Sequence, residues 1–325
     1  MIQNIVNNKG GLHNRISRKI RLLPFNLSET EEFLKSRSVT LNRYQILQIY
    51  MAMGGIPQYL KWILPGESAS QAVDRLCFTK DGILKEEFKI LYLSLFEKAQ
   101  RHIDIVKALS QKGSGLKRNE IIEACNLSTG GTTTKILEEL EESGFINAYI
   151  PFGKNAREVV YKLADEYSLF YLKFIENTRT TGSGTWLRLS STPSWRSWSG
   201  IAFERICLKH IDQVKKGLGI SAVQTTESIW RLQPKKDEAG AQIDLLIDRS
   251  DQCINLCEMK FSDAEFVITK EYESDLKRKS TVFKSTVKTR KTIFITLITT
   301  YGAKQNIYFT GNVQSQLTME DLFGK

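Results

Sequence analysis

Gln242-Ile243-Asp244-Leu245-Leu246-Ile247-Asp248, followed after a short polar turn by Ile254-Asn255-Leu256-Cys257-Glu258-Met259-Lys260, reads as two β-strands joined in a hairpin. Both runs are short, rich in β-branched and aliphatic residues, and bounded by turn-forming ones. On the second strand Glu258 and Lys260 are two apart, so their side chains leave the same face. Asp244 falls opposite Glu258 if the loop holds an odd number of residues, such as Ser250 to Gln252. Two carboxylates and an ammonium then converge. Paired carboxylate oxygens suit a hard divalent cation such as Mg2+. The cation lowers the pKa of a bound water and offsets charge developing on a phosphate, while a neighbouring lysine orients the water or stabilises the pentavalent centre. These are the requirements of a phosphodiesterase. Asp244 and Glu258 are the expected metal ligands, Lys260 the assisting base, Glu204 an accessory acid from a helix predicted over Ile201 to Val214, and Gln242 a water-positioning group. An acid and a lysine two apart on a strand also make an ordinary solvated ladder of ion pairs. Asp244 argues for the sharper reading, because Ile243 and Leu245-Leu246-Ile247 flank it with no packing reason for a charge.

Around this hairpin the pattern predicts further strands near Ala222 and over Thr292 to Ile298, and a basic helical stretch after Glu265. Strands with flanking helices make an α/β domain. The run Lys277, Arg278, Lys279, Lys284, Lys288, Arg290, Lys291 either contacts phosphates or is a solvated helix face. Upstream, Thr178 to Gly200 reads as an irregular connector containing Trp186, Trp195 and Trp198. Before it, three short helices and a hairpin over Arg101 to Leu163 have the outline of a winged helix-turn-helix. Thr132, Thr133 and Lys135 at the start of its third helix, and Lys154 and Arg157 in the wing, are the expected nucleic-acid contacts. The same helix carries Glu138, Glu139, Glu141 and Glu142, which repel a phosphate backbone, so a winged helix that only packs on its neighbours fits as well. The first section is helical, with a start expected at Ser28 and a stop at Gly54-Gly55-Ile56-Pro57.

Composition sets the outer limits. A chain of 325 residues makes two or three domains, and 41% hydrophobic with 25% charged residues is ordinary for a globular protein. Lysine and arginine outnumber acids 46 to 36, giving a net charge of +10, which favours a polyanionic partner such as DNA. No apolar run is long enough to span a membrane, and Met1 to Lys9 lacks the form of a signal peptide, so a cytoplasmic protein is expected. Five scattered cysteines and three distant histidines argue against a disulfide framework and a zinc centre. No phosphate-binding G-x-x-x-x-G-K-[ST] loop occurs, so no ATP hydrolysis is expected from this chain alone.

Residue by residue, the third section resembles the PD-(D/E)XK nuclease superfamily, with Asp244 as first acid, Glu258-Met259-Lys260 as the E-x-K element and Glu204 as the helical acid. Over most of its length the chain resembles the archaeal-type AAA-like P-loop ATPases that carry a C-terminal winged helix and nuclease-like domain. Asn8-Lys9-Gly10-Gly11-Leu12-His13-Asn14-Arg15, then Leu23-Pro24-Phe25, Glu29 and Phe33-Leu34, are similar to the end of the ATPase core. Gly54 to Leu60 is similar to the lid, and Trp198 to Glu204 to the opening of the nuclease-like part. The resemblance implies a multidomain α plus α/β chain: an ATPase-core remnant at 1–35, a helical lid at 36–98, a winged helix at 99–176, a connector at 177–196 and a nuclease-like domain at 197–325. The Walker strands of that family have no counterpart here, so Arg15 has no phosphate loop to complete, and a truncated or split gene product is expected. The implied activity is a Mg2+-dependent DNA nuclease. The other reading is a catalytically silent DNA- or protein-binding module that works with an ATPase core supplied in trans or as a homo-oligomer.

Overall fold

In the computed structural model, which describes residues 20–178, 182–233 and 240–324, helices dominate the first half and a five-stranded mixed sheet the second. Asn8 to Arg15 lie outside the described residues. The first helix among the described residues, Leu27–Ser36, starts two residues earlier than Ser28 suggests. Asn26 accepts the Glu29 N–H and the Glu29 carboxylate accepts the Asn26 N–H, so the reciprocal cap forms there. Helix Arg43–Met53 stops at Gly54, which holds φ +64°, and Pro57 opens the next turn. Gly55 must be glycine for another reason: a Cβ there would stand 1.9 Å from the Phe25 carbonyl oxygen, because the Phe25 N–H donates to Gly55 O at 2.8 Å.

Helices Ala99–Ser110, Arg118–Ala124 and Gly131–Glu142 follow, close to their expected bounds. Strands β1 (Leu116–Lys117), β2 (Ile146–Tyr149) and β3 (Val160–Leu163) form a three-stranded antiparallel sheet in the order β1-β3-β2. The connector is not irregular. Helices Thr185–Leu189 and Pro193–Lys209 fill it, the second opened by the Thr192 hydroxyl accepting the Trp195 N–H and by Pro193 at the first position. Trp186, Trp195 and Trp198 are buried against Phe170 and Phe174, so the glycine- and serine-rich composition is overruled by aromatic packing.

The large sheet runs β4 (Thr225–Leu232), β5 (Ala241–Arg249), β6 (Cys253–Lys260), β7 (Thr292–Thr299) and β8 (Ser315–Thr318). β4, β5 and β6 pair antiparallel, and β6, β7 and β8 pair parallel, with helix Lys270–Val287 crossing from β6 to β7. The strand expected near Ala222 begins at Thr225, and β8 has no counterpart in the sequence reading. One sheet face, through Leu245, Ile247, Cys257 and Met259, joins the main core with Phe203, Ile206 and Cys207 of the Pro193–Lys209 helix. The other packs Trp230, Leu246, Ile254 and Leu256 around Phe283 of the crossing helix. The main core is continuous from Leu27 to Phe323, so the sections share one apolar interior. Among the described residues no helix is long and apolar enough to cross a membrane.

Candidate active site

The hairpin takes the register that the alternation favours. Leu245 pairs with Cys257, Leu246 with Leu256 and Asp248 with Ile254, across the loop Ser250 to Gln252, in which Gln252 holds φ +64°. Asp244 and Glu258 are the next positions along that register. On its other side β5 is irregular: Ser228 pairs with Leu246 but Trp230 with Ile243, so Asp244 and Leu245 together oppose Ile229. This is a bulge, and it re-aims a side chain. It shifts the alternation so that Ala241 and Ile243 join Leu246 on the Phe283 side. Asp244 is thereby released from the core pattern, which explains how a charge is accommodated in so apolar a strand.

Glu258 is 3% exposed, and the Lys279 ammonium donates to both its oxygens at 2.8 and 2.9 Å. Burial pushes the Glu258 carboxyl up, and the Lys279 charge only partly opposes this. Lys260, two residues on, lies over the Tyr272 ring, with its Nζ 5.3 Å from the centroid. Glu204, from the Pro193–Lys209 helix, is raised to about 7, first by burial and next by Asp244, while Lys260 and Lys162 pull the other way. Gln242 donates to Asp244 Oδ1 at 2.6 Å. Glu204, Asp244, Glu258, Lys260 and Gln242 therefore meet at one end of the sheet. Two groups there were missed by the sequence reading. Lys279 is assigned to the basic run, although its spacing with Leu276 and Phe283 puts it on the sheet-facing side of its helix. Lys162, on β3 of the small sheet, is 9% exposed; burial pushes its ammonium down, Asp244 and Glu204 only partly oppose this, and no local pattern marks it.

Hard carboxylate oxygens at Asp244 and Glu258 suit Mg2+, which is commonly held by one or two carboxylates with water and substrate phosphate completing its shell. The Glu204 carboxyl is elevated first by burial, and the Asp244 charge beside it adds to that effect. Among the described residues no three His, Cys, Asp or Glu side chains close into a ready-made metal cage. Lys279 instead holds Glu258.

The expected nucleic-acid contacts divide. Thr133 is 1% exposed and donates its hydroxyl to Ser128 O at 2.7 Å, so it staples the helix start and cannot reach a phosphate as proposed. Thr132 and Lys135 are exposed, Lys135 standing 3.7 Å from Glu139. Arg118 donates to the carbonyls of Thr129 and Gly130 beside them. Lys154 and Arg157 are exposed between β2 and β3, Lys154 standing 3.6 Å from Glu158. The basic run is similarly partitioned: Lys277, Arg278, Lys279 and Lys291 are paired with acids. A cleft of about 720 Å³ lies between the helical section and the end of β6, lined by Tyr44, Trp195, Arg196, Phe261 and several serines. No family model, curated protein or solved structure matches the chain.

Proposed function

We propose that the third section is a Mg2+-dependent phosphodiesterase of the PD-(D/E)XK type acting on DNA. In this reading the chain is the C-terminal portion of an archaeal-type AAA-like ATPase family protein, and the helices with the small sheet form a winged helix that carries it to nucleic acid. One observation carries the reading: Glu204, Asp244, Glu258 and Lys260 arrive from a helix, a bulge and a neighbouring strand, and their charges act on one another. The succession of helix, three antiparallel strands, crossing helix and parallel strand agrees with it.

When bound, the cation activates a water and draws charge from the scissile phosphate. Asp244 and Glu258 would hold it. Gln242 fixes one oxygen of Asp244. Lys260 supplies an ammonium to the attacking water or the phosphate, and the Tyr272 ring limits its swing. Glu204, with its carboxyl near neutrality, exchanges a proton with water at working pH. The decisive experiment is Mn2+ calorimetry on the full chain. Binding is expected in wild type and in Lys260→Ala, and its loss in Asp244→Ala and Glu258→Gln; equal binding by all four proteins refutes the ligand assignment.

The Lys279–Glu258 ion pair favours a second reading, in which a lysine has replaced the metal and the fold is a silent binding module. Salt-sensitive DNA binding with no Mn2+ uptake by wild type would select it.

A further inference from the structure

The large majority of buried polar side-chain atoms in folded proteins are hydrogen-bonded, and each exception asks for a reason. Among the described residues four buried hydroxyls have no partner, and two of them, Tyr272 and Thr299, are neighbours of Lys260. Thr299 ends β7, is fully buried, and stands level with Lys260 in the parallel register, as Leu297 does with Glu258. Alternation therefore sends Lys260 and Thr299 to the side of the sheet that the crossing helix covers. Tyr272, from the first turn of that helix, packs on the cluster that includes Leu297, and its ring lies under the Lys260 ammonium. Its hydroxyl stands beside Glu258 without bonding to it; the Lys279 ammonium spans both Glu258 oxygens instead. The half-buried Lys260 ammonium likewise makes no hydrogen bond or ion pair among the described residues. Three donors without acceptors thus gather at the C-terminal ends of two parallel strands, where ligands of open α/β sheets bind. Glu258 and Asp275, the acids beside them, share Lys279, so an approaching anion meets charges already compensated.

We propose that Lys260, Tyr272 and Thr299 form a seat for one phosphoryl oxygen of a nucleic-acid strand, with Tyr272 and Thr299 as positioning residues whose hydroxyls find their acceptor only when the strand binds. The nucleic-acid strand as occupant rests on the phosphodiesterase reading; the oxyanion seat does not, and it needs no metal. A buried hydroxyl left unbonded costs free energy, and an anionic oxygen that accepts from it recovers that cost. Lys260 supplies the charge that draws the oxygen in, and the two hydroxyls fix where it stops.

The test is inorganic phosphate binding by the full chain in EDTA, read by phosphorus NMR line width, for wild type, Tyr272→Phe, Thr299→Val and Lys260→Met. Tyr272→Phe keeps the ring under Lys260 and Thr299→Val keeps the shape. Without phosphate, both should melt at or above the wild-type temperature, because each removes a buried group that has no partner. Wild type should bind phosphate, a short DNA duplex should displace it, and each variant should bind about tenfold more weakly, the usual worth of one hydrogen bond to a charged group. A lowered melting temperature in either isosteric variant shows that the hydroxyl is bonded within the protein and overturns the seat. Equal phosphate binding by all four proteins, or none by folded wild type, overturns it as well. Phosphate that the duplex cannot displace overturns the assignment to a strand. Weakened binding in the variants, with no nicking of plasmid by wild type in Mn2+, keeps the seat and removes the phosphodiesterase reading. Nicking by wild type, with phosphate binding unmoved in the variants, keeps that reading and removes the seat.

Discussion

Glu258 keeps a carboxylate 3% exposed because Lys279 meets both of its oxygens. Lys279→Met removes that partner and leaves a buried acid uncompensated. We expect a loss of about 3 kcal/mol in urea unfolding, with Glu258→Gln on the same background restoring much of it, as is general when one partner of a buried pair is deleted. Glu204 sets a pH dependence. Its carboxyl is raised from 4.5 to about 7, so the folded chain keeps a proton that the unfolded chain gives up. Its contribution to stability is complete below about 4.5 and is lost as pH rises through about 7. Melting temperature should therefore decline over that interval in wild type, and Glu204→Gln should flatten the decline. Glu258 and Lys260 were legible because alternation of two fixes a strand face, Asp244 because an acid in an aliphatic run has no packing role, and Glu204 as an acid on the helix that precedes the strands. Lys279 was legible in principle, from its phase with Leu276 and Phe283, but a run of like charges hid it. Lys162 was not, since its burial comes from packing between distant sections of the chain.

At the level of elements, the hairpin register followed from the loop length and the alternation, whereas the bulge did not. A bulge depends on how β4 pairs with β5, and nothing within β5 reports an extra residue. The helix Pro193–Lys209 shows the opposite failure. Its cap, Thr192 before Pro193, was present in the sequence, but serines and glycines nearby suggested a linker, and burial of three tryptophans decided the outcome. Thr192→Ala should cost about 1 kcal/mol, the usual value of such a cap, and circular dichroism melts would register it. Gly55→Ala should cost more, about 2 kcal/mol or above by the general penalty for overpacking, because its Cβ meets backbone and not a movable side chain. A melt indistinguishable from wild type would show that the Phe25–Gly55 contact is not held in solution.

Across the whole molecule, one core links the helical section to the sheet, and His210 illustrates the join. Its Nε2 accepts the Leu27 N–H at 3.0 Å while Nδ1–H donates to Ile206 O at 2.8 Å. The net charge of +10 was read from composition alone, but the distribution was not: much of the basic run is spent on internal acids. Exposed Lys154 and Arg157 then become the test of the wing as a DNA contact. Replacing either with alanine should weaken DNA binding without regard to sequence and reduce its salt slope by about one. An unaltered slope in both variants would remove the wing from the interface.

The central claim concerns the acidic site, and the most direct measurement is nicking of supercoiled plasmid by the full chain in Mn2+, wild type beside Lys260→Ala and Asp244→Ala. We predict metal-dependent nicking by wild type, abolished in Asp244→Ala and reduced at least about a hundredfold in Lys260→Ala, the scale expected when one group that assists proton transfer or stabilises developing charge is removed. Equal nicking by all three proteins, or none by a folded wild type that binds both Mn2+ and DNA, would contradict it.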